Sequence, residues 1–388
     1  MVSKRSSLDR YANERLRNIR KQALHRKLQT VVVGGATCRV NAKEAIHLCS
    51  NDYLGLSRNK TIAKKTIESL DEISQCSSRL IAGNHPRMLE LEGMLAKHRG
   101  TKAALVYPSG YAANIGAVTS IASKESTIFS DELNHASIID ACRLSGAKIR
   151  VFKHNDGAHL EKLMQRAGGR KIVITEGIFS MDGDTSNLKE ICSVARKYDA
   201  ITIVDDAHGD FIFGPHFSGV PSMMRSHVDV HGSSMSKGLG CFGGYVAATS
   251  KVRELLVNTS RQFIYTSALP AHLCVAAIAS IPLAKKGDRQ NRLRKNISHL
   301  RAGLERLGFL LGNSSSQIIP VLIGREKLAL EFSKELLSEG VFVQAVRFPT
   351  VARGQSRLRV SLTALHNLSH LDKAIGAFER VGKRKKVI

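Results

Sequence analysis

The stretch Ile201-Thr202-Ile203-Val204-Asp205-Asp206-Ala207-His208, read together with Ser233-Ser234-Met235-Ser236-Lys237-Gly238-Leu239-Gly240, decides the fold. The apolar and β-branched run at 201–204 is the length of a buried strand. It ends in two carboxylates and an imidazole. Lys237 then sits among small residues, which leave its amine room and close backbone neighbours. A lysine alone says little, because most lysines are solvated surface charges. An Asp-Asp pair can also simply end a strand or cap a helix. The neighbouring segments have to raise the case.

Strand candidates lie at Ala103-Tyr107, Thr127-Ser130, Lys148-Phe152, Lys171-Thr175, Ile201-Asp205, Val228-His231 and Tyr245-Ala248, with helical patterns such as Leu188-Tyr198 between most of them. Alternation of this kind implies an α/β fold: a mainly parallel, seven-stranded sheet with helices on both faces. Ligands in such sheets bind beyond the C-terminal strand ends, where the polar residues named here fall. A helical stretch follows Leu269-Pro270, with an amphipathic part at Arg289-Leu307. Then come a strand at Ser316-Ile323, a helix at Lys327-Glu339, strands at Phe342-Val346 and Arg357-Leu362, and a helix at Ser369-Arg380. These make a smaller α+β unit. Residues 8–29 read as a basic helix, with short strands near Val31-Val33 and Ile46-Leu48. The expected domains are 1–48, 49–283 and 284–388.

The chain has 388 residues, 43% hydrophobic and 23% charged, enough for two domains and a large core. Its formal net charge is +25, which raises nucleic-acid binding as a possibility. Against that, aromatic content is 5% and Trp is absent, so stacking platforms for single strands are not evident. Much of the excess sits at the ends, in Arg15, Arg17, Arg20, Lys21 and Arg26 and in Arg380, Lys383, Arg384, Lys385 and Lys386. The balance reads either as a solubility or host-proteome trait or as a basic rim that attracts an anionic substrate. The seven cysteines form no C-x-x-C pair, which argues against a disulfide framework and against structural zinc, so no metal is expected. Met1-Val2-Ser3-Lys4-Arg5 leads into a charged stretch without an apolar core, unlike a signal peptide. No apolar run is long enough to span a membrane. A cytoplasmic enzyme is the expectation.

Other segments carry candidate chemistry. Ser109-Gly110-Tyr111 joins a strand to a helix and presents backbone N–H groups suited to a phosphate. His135, in Asp131-Glu132-Leu133-Asn134-His135, follows another strand and could lie flat over an aromatic ring. Glu176 and Ser180 follow a third. Arg357 and Arg359 share one face of a strand, and either could clamp a carboxylate. Gly238-Leu239-Gly240-Cys241-Phe242-Gly243 matches the dinucleotide fingerprint by letter only, since it precedes a strand instead of opening a helix. A crowded lysine near a strand-end carboxylate suggests Schiff-base chemistry on pyridoxal phosphate.

Seven segments in order closely resemble the α-oxoamine synthase family, pyridoxal phosphate enzymes of the aspartate-aminotransferase fold (fold type I). They are Asn51-Asp52-Tyr53-Leu54-Gly55-Leu56, Ser78-Arg79-Leu80-Ile81-Ala82-Gly83-Asn84-His85-Pro86, the His135 segment, Thr175-Glu176-Gly177, Asp205-Asp206-Ala207-His208-Gly209, Ser236-Lys237 and Arg357-Leu358-Arg359. The resemblance implies roles for matching positions. Lys237 would form the Schiff base, Asp205 would pair with the pyridinium nitrogen, and His208 would meet the phenolic oxygen. His135 would stack on the ring with Ser180 near it. Ser109, Gly110, Tyr111 and Ser234 would hold the phosphate. Thr266 would reach the phosphate of a partner subunit in a homodimer. Asn51, Arg357 and Arg20 would contact substrate.

The resemblance also implies an acyltransferase that joins an amino acid to an acyl thioester carried on CoA or acyl carrier protein. The stretches Ser50-Leu56, Glu176-Asp184 and Thr363-Ala364-Leu365-His366 favour the member that condenses L-alanine with a pimeloyl thioester for biotin biosynthesis. The alternatives are the member using glycine and acetyl-CoA, another relative, or a basic nucleic-acid-binding protein on an inactive fold. Two departures from the family pattern stand out. Ser74-Gln75-Cys76-Ser77-Ser78 replaces a glycine-rich run, and Ser234 stands where the family has Thr, which keeps the hydroxyl donor.

Overall fold

The computed structural model describes residues 6–22 and 24–388. Met1–Arg5, where the expectation about a leader began, and Ala23 lie outside the described residues. The central sheet has seven strands in the order Ala103–Tyr107, Gly244–Ala248, Val230–Ser234, Ile201–Asp205, Arg170–Glu176, Ser126–Asp131, Lys148–Phe152. Gly244–Ala248 runs antiparallel to both neighbours, and the remaining pairings are parallel.

Side chains alternate across this sheet. Ile172 and Ile174 join one apolar cluster with Ile115 and Ile138 of the flanking helices. Val173 faces the opposite cluster, with Leu160 and Ile191. Both faces are therefore covered, which is why these strands read as continuous apolar runs and not as alternating ones. The strand expected at Val228-His231 starts later, at Val230. Asp229 is engaged instead as an acceptor for the Thr202 backbone and hydroxyl, at 2.8 and 2.7 Å.

The expected strand Phe342-Val346 is broken. Val341–Phe342 pairs in parallel with Lys43–His47, and Gln344–Val346 pairs antiparallel with Ser356–Ser361. Between them the Val343 carbonyl accepts from Ser333 Oγ at 2.6 Å, so the chain crosses from one sheet to another there. Thr37–Val40 is a further strand that the sequence reading did not find. The basic helix ends at Lys21, short of residue 29, with Gln22 as its C-cap. Among the described residues no helix is long and apolar enough to cross a membrane.

The departure at Ser74-Ser78 leaves a local cost. Exposed Cys76 holds φ at +50°, where a side chain meets its own backbone. Cys76→Gly is expected to raise stability by about 0.5–1 kcal/mol, after the glycine's larger loss of chain entropy. The urea midpoint checks this; an unchanged or lower midpoint counts against it.

Candidate active site

Four strand ends and one turn converge on a cavity of about 230 Å³, lined by Ser109, Gly110, Tyr111, His135, Asp205, His208, Ser234 and Lys237 among others. The sequence motifs meet here and not in the larger groove of about 610 Å³ under the opposite strand ends.

Asp205 closes its strand with both oxygens engaged. Oδ1 accepts from the Ala207 N–H at 3.0 Å, and Oδ2 accepts from Asn114 Nδ2 at 2.6 Å. Asn114 also donates to Ser137 Oγ at 2.9 Å, so the carboxylate is fixed by a buried amide on the helix Gly110–Ile121. Gly232, paired with Asp205 across the sheet, leaves space for that amide; a Cβ there would sit 2.8 Å from Asn114 Oδ1.

His208 is buried and Tyr53 fully so, with the tyrosine hydroxyl 2.7 Å from His208 Nδ1 and donating to Asn51 Oδ1 at 3.2 Å. Burial, reinforced by Lys237 and Arg359, pushes the His208 imidazole well below its ordinary range, so it is neutral. Burial likewise lowers the Lys237 ammonium. Asp205 and Glu176 oppose that shift, and Arg359 adds to it. Lys237 is half-buried by surface area because the cavity opens on it.

The anion end of the cavity is the N-terminus of the helix Gly110–Ile121, capped by Ser109, whose hydroxyl accepts from the Ala112 N–H at 3.1 Å. Ser234 and Ser236 stand opposite, their hydroxyls 2.8 Å apart. A Cβ on Gly110 would lie 2.9 Å from Ser234 Cβ, so only glycine lets the two segments close. Tyr111 contributes backbone to this turn, and its side chain turns outward to donate to Asp140 at 2.5 Å. His135 caps the helix Ala136–Ser145 at the cavity mouth. Its Nδ1 lies 2.7 Å from Ser137 Oγ, and its backbone N–H donates to Glu176 Oε1 at 2.6 Å.

Other expected residues stand outside the cavity lining. Ser180 is buried on the loop after Glu176, and its carbonyl accepts from Arg359 Nε at 2.5 Å. Thr266 is half-buried and Arg20 is exposed on the N-terminal helix. The clamp expected of Arg357 is engaged elsewhere: its guanidinium pairs with the Asp182 carboxylate and donates to the Gln355 carbonyl. Arg359, two residues on, is the arginine whose charge acts on Lys237 and His208, and its Nη1 is 3.3 Å from Asn51 Oδ1.

Asn114 is a cavity residue that the sequence reading did not single out, and Glu176 is one that it named without a role. A buried amide one turn into the helix after Ser109-Gly110 was the available signal for the first. For the second it was a carboxylate at a strand end, which here pairs in register with Asp205. Burial, then the nearby Asp205 charge, pushes Glu176 well above the ordinary carboxylate range.

A family model described as aminotransferase class I and II matches residues 43–378. The chain is 39% identical to an 8-amino-7-oxononanoate synthase of Thermoanaerobacter pseudethanolicus, over 97% of this chain and 98% of that one. Among solved structures, serine palmitoyltransferase from S. paucimobilis with bound PLP–myriocin aligns with a TM-score of 0.92 at 28% identity, covering 99% of this chain and 100% of that one. An 8-amino-7-oxononanoate synthase from Francisella tularensis aligns with a TM-score of 0.76 at 26% identity, covering 88% and 99%.

The residues present fit pyridoxal phosphate. The cavity offers an amine with a lowered pKa for the aldehyde and an anchored carboxylate for a ring cation. It also offers a helix N-terminus with hydroxyls for a dianion. The chain belongs to the class I and II aminotransferase family, as a pyridoxal phosphate-dependent acyltransferase of fold type I.

Proposed function

We propose that the chain condenses L-alanine with a pimeloyl thioester to give 8-amino-7-oxononanoate, CO₂ and the free thiol carrier, a step of biotin biosynthesis in the cytoplasm. The observation that carries this reading is the run of relatives with that printed name, 37–40% identical over 91–98% of this chain. The site's chemistry supports it.

Lys237, Asp205, His208, His135 and the Ser109–Tyr111 and Ser234 cradle would hold the cofactor. When bound, it supplies an electron-accepting ring that stabilises negative charge at the amino-acid Cα. The rest falls to the chain's own residues. Arg359 and Asn51 orient the amino-acid carboxylate at the cavity edge. Lys237 Nζ, poised by burial to lose its proton, accepts the proton from Cα and returns one when CO₂ has left. Neutral His208, held at Nδ1 by the Tyr53 hydroxyl, packs beside the ring site without adding charge. Asp205, fixed by Asn114, would turn its carboxylate to the ring nitrogen.

The assembly we propose is a homodimer. The helix Ser7–Lys21 buries no residue within one chain and leaves Leu8 and Tyr11 exposed. Ile81 is 83% exposed and Tyr265 72%, on neighbouring segments joined by the Ala268 N–H to Ser77 carbonyl bond of 2.9 Å. Apolar surface on this scale calls for a partner. Thr266 on the same face would then serve the other subunit's phosphate, and the basic helix with Arg20 would meet the acyl carrier, CoA or acyl carrier protein.

A second reading follows from the serine palmitoyltransferase alignment: serine with a long acyl thioester. One experiment separates the readings. The holoenzyme is assayed with alanine, glycine and serine against pimeloyl, acetyl and palmitoyl thioesters, reading CO₂ release, with its mass in solution measured alongside. Alanine with pimeloyl is expected to exceed every other pair by at least about tenfold, in a dimer. Preference for serine or glycine, or for another acyl chain, sinks the assignment.

A further inference from the structure

We propose that His154, which lies outside the cavity, is a positioning residue that clamps the loop carrying His135 to the loop that carries Ser180 and Asp182. This rests on the reading that Arg359 receives the amino-acid carboxylate.

The geometry is specific. His154 Nδ1 is 3.0 Å from Asp131 Oδ1, and Nε2 is 2.7 Å from Asp184 Oδ2. Each ring nitrogen faces a carboxylate, and a carboxylate can only accept, so both nitrogens must carry protons. The ring is therefore an imidazolium between two anions. Phe179 meets it edge-on with centroids 4.3 Å apart. The other groups around it are Glu132, whose Oε1 accepts from the His154 backbone N–H at 2.9 Å, and the Asn155 amide. No cation appears among these contacts. Partnered from both sides, His154 keeps its proton up to about pH 10.

The two carboxylates belong to different parts of the site. Asp131 ends the strand that leads to His135, and it also accepts from the Leu133 and Asn155 N–H groups at 2.9 and 3.0 Å. Asp184 lies on the loop after Glu176. There the Phe179 N–H donates to the Asp184 carbonyl at 3.1 Å, closing a short turn over Ser180-Met181-Asp182. That turn supplies the Asp182 carboxylate to Arg357 and the Ser180 carbonyl to Arg359. Asp184 Oδ1 is buried without a hydrogen-bond partner among the described residues, so its side-chain hold rests on Oδ2, which meets His154 at 2.7 Å and accepts from Asn155 Nδ2 at 3.1 Å. A neutral ring would aim a lone pair at one of the two anions. Asp131 has backbone donors to keep it in place, so the bond to Asp184 is the one that breaks. The arginine pair would then lose its backing.

The test uses the holoenzyme and His154→Gln at pH 7.5. Amino-acid binding is followed by the cofactor's absorbance, with cofactor retention and thermal unfolding measured on the same samples. The variant is expected to retain the cofactor within about threefold and to weaken amino-acid binding by about tenfold or more. As pH rises from 6.5 through 10 the wild-type ring loses its proton, and with it an advantage that is fully present below 6.5. The wild-type-to-variant ratio of dissociation constants is expected to move toward one over that range, and the difference in Tm to shrink with it. Should His154→Gln fail to fold, Asp184→Ala removes the same bond and carries the same expectations. A folded variant that binds the amino acid like the wild type overturns the clamp. So does parallel loss of cofactor and amino acid, or a ratio that does not change with pH. A wild type that binds no amino acid overturns the functional reading instead, and the Tm series still judges the clamp.

Discussion

Lys237→Ala is expected to lower turnover by at least about 10⁴-fold, because one substitution removes both the covalent anchor and the group that moves the Cα proton. It is also expected to abolish the near-visible absorbance of a lysine-linked pyridoxal. The cofactor itself should still bind. Asp205 with its Asn114 support, the capped helix N-terminus at Ser109–Gly110 and the Ser234 hydroxyl do not depend on Lys237 for their positions. The measurement is a pair of spectra and a pair of rates on protein reconstituted with pyridoxal phosphate. A variant within about tenfold of wild type shows that another group moves the proton. A variant that cannot retain the cofactor at all shows that the anion cradle is weaker than its geometry implies. Surface lysines such as Lys64 serve as controls.

The central sheet was legible because its strands are buried on both faces. Such strands must be apolar throughout, and runs like Ile201–Val204 and Ile172–Ile174 cannot be mistaken for surface segments. The site was legible for a related reason. In a parallel sheet the chemistry collects at strand ends, and the ends bear Asp205, Glu176 and Asp131. Reading failed where position depends on contacts distant in sequence. The strand at Phe342-Val346 has strand-like composition throughout, yet it serves two sheets, because residues Lys43–His47 claim its first half. Asn114 was passed over because an amide inside a helix looks like surface until its partner, 91 positions away, is known.

His154 shows the same limit from another side. Its sequence neighbours, Lys153 and Asn155, announce a turn. Only the fold brings Asp131 and Asp184 to its two nitrogens. The polar network around the cavity is thus of two kinds. Residues that touch the reacting groups sit at strand ends and carry local signals. Residues that hold them in place, such as Asn114 on a helix and His154 on a loop, have partners set by topology.

The arginine pair gives the sharpest test of that division. Arg357 and Arg359 share a strand face, so alternation cannot choose between them. On the proposed reading Asp182 makes the choice, since it pairs with Arg357 while Arg359 meets Asn51. Arg359→Ala is expected to lower kcat/KM for the amino acid by about 30- to 3,000-fold, the 2–5 kcal/mol lost when one side of a charge pair is removed. Arg359→Lys restores the charge but not the two-pronged fork, and is expected to recover only part of the loss. Arg357→Ala strips the partner from Asp182 without touching the carboxylate site. Its main effect is expected in Tm, with the amino-acid KM changed by no more than about threefold. Steady-state kinetics at fixed saturating thioester, with the amino acid varied, separate the cases. If Arg357→Ala carries the larger loss in amino-acid KM while Arg359→Ala leaves it near wild type, the carboxylate binds on the Arg357 side. The Asp182 pair would then have to open each time substrate enters.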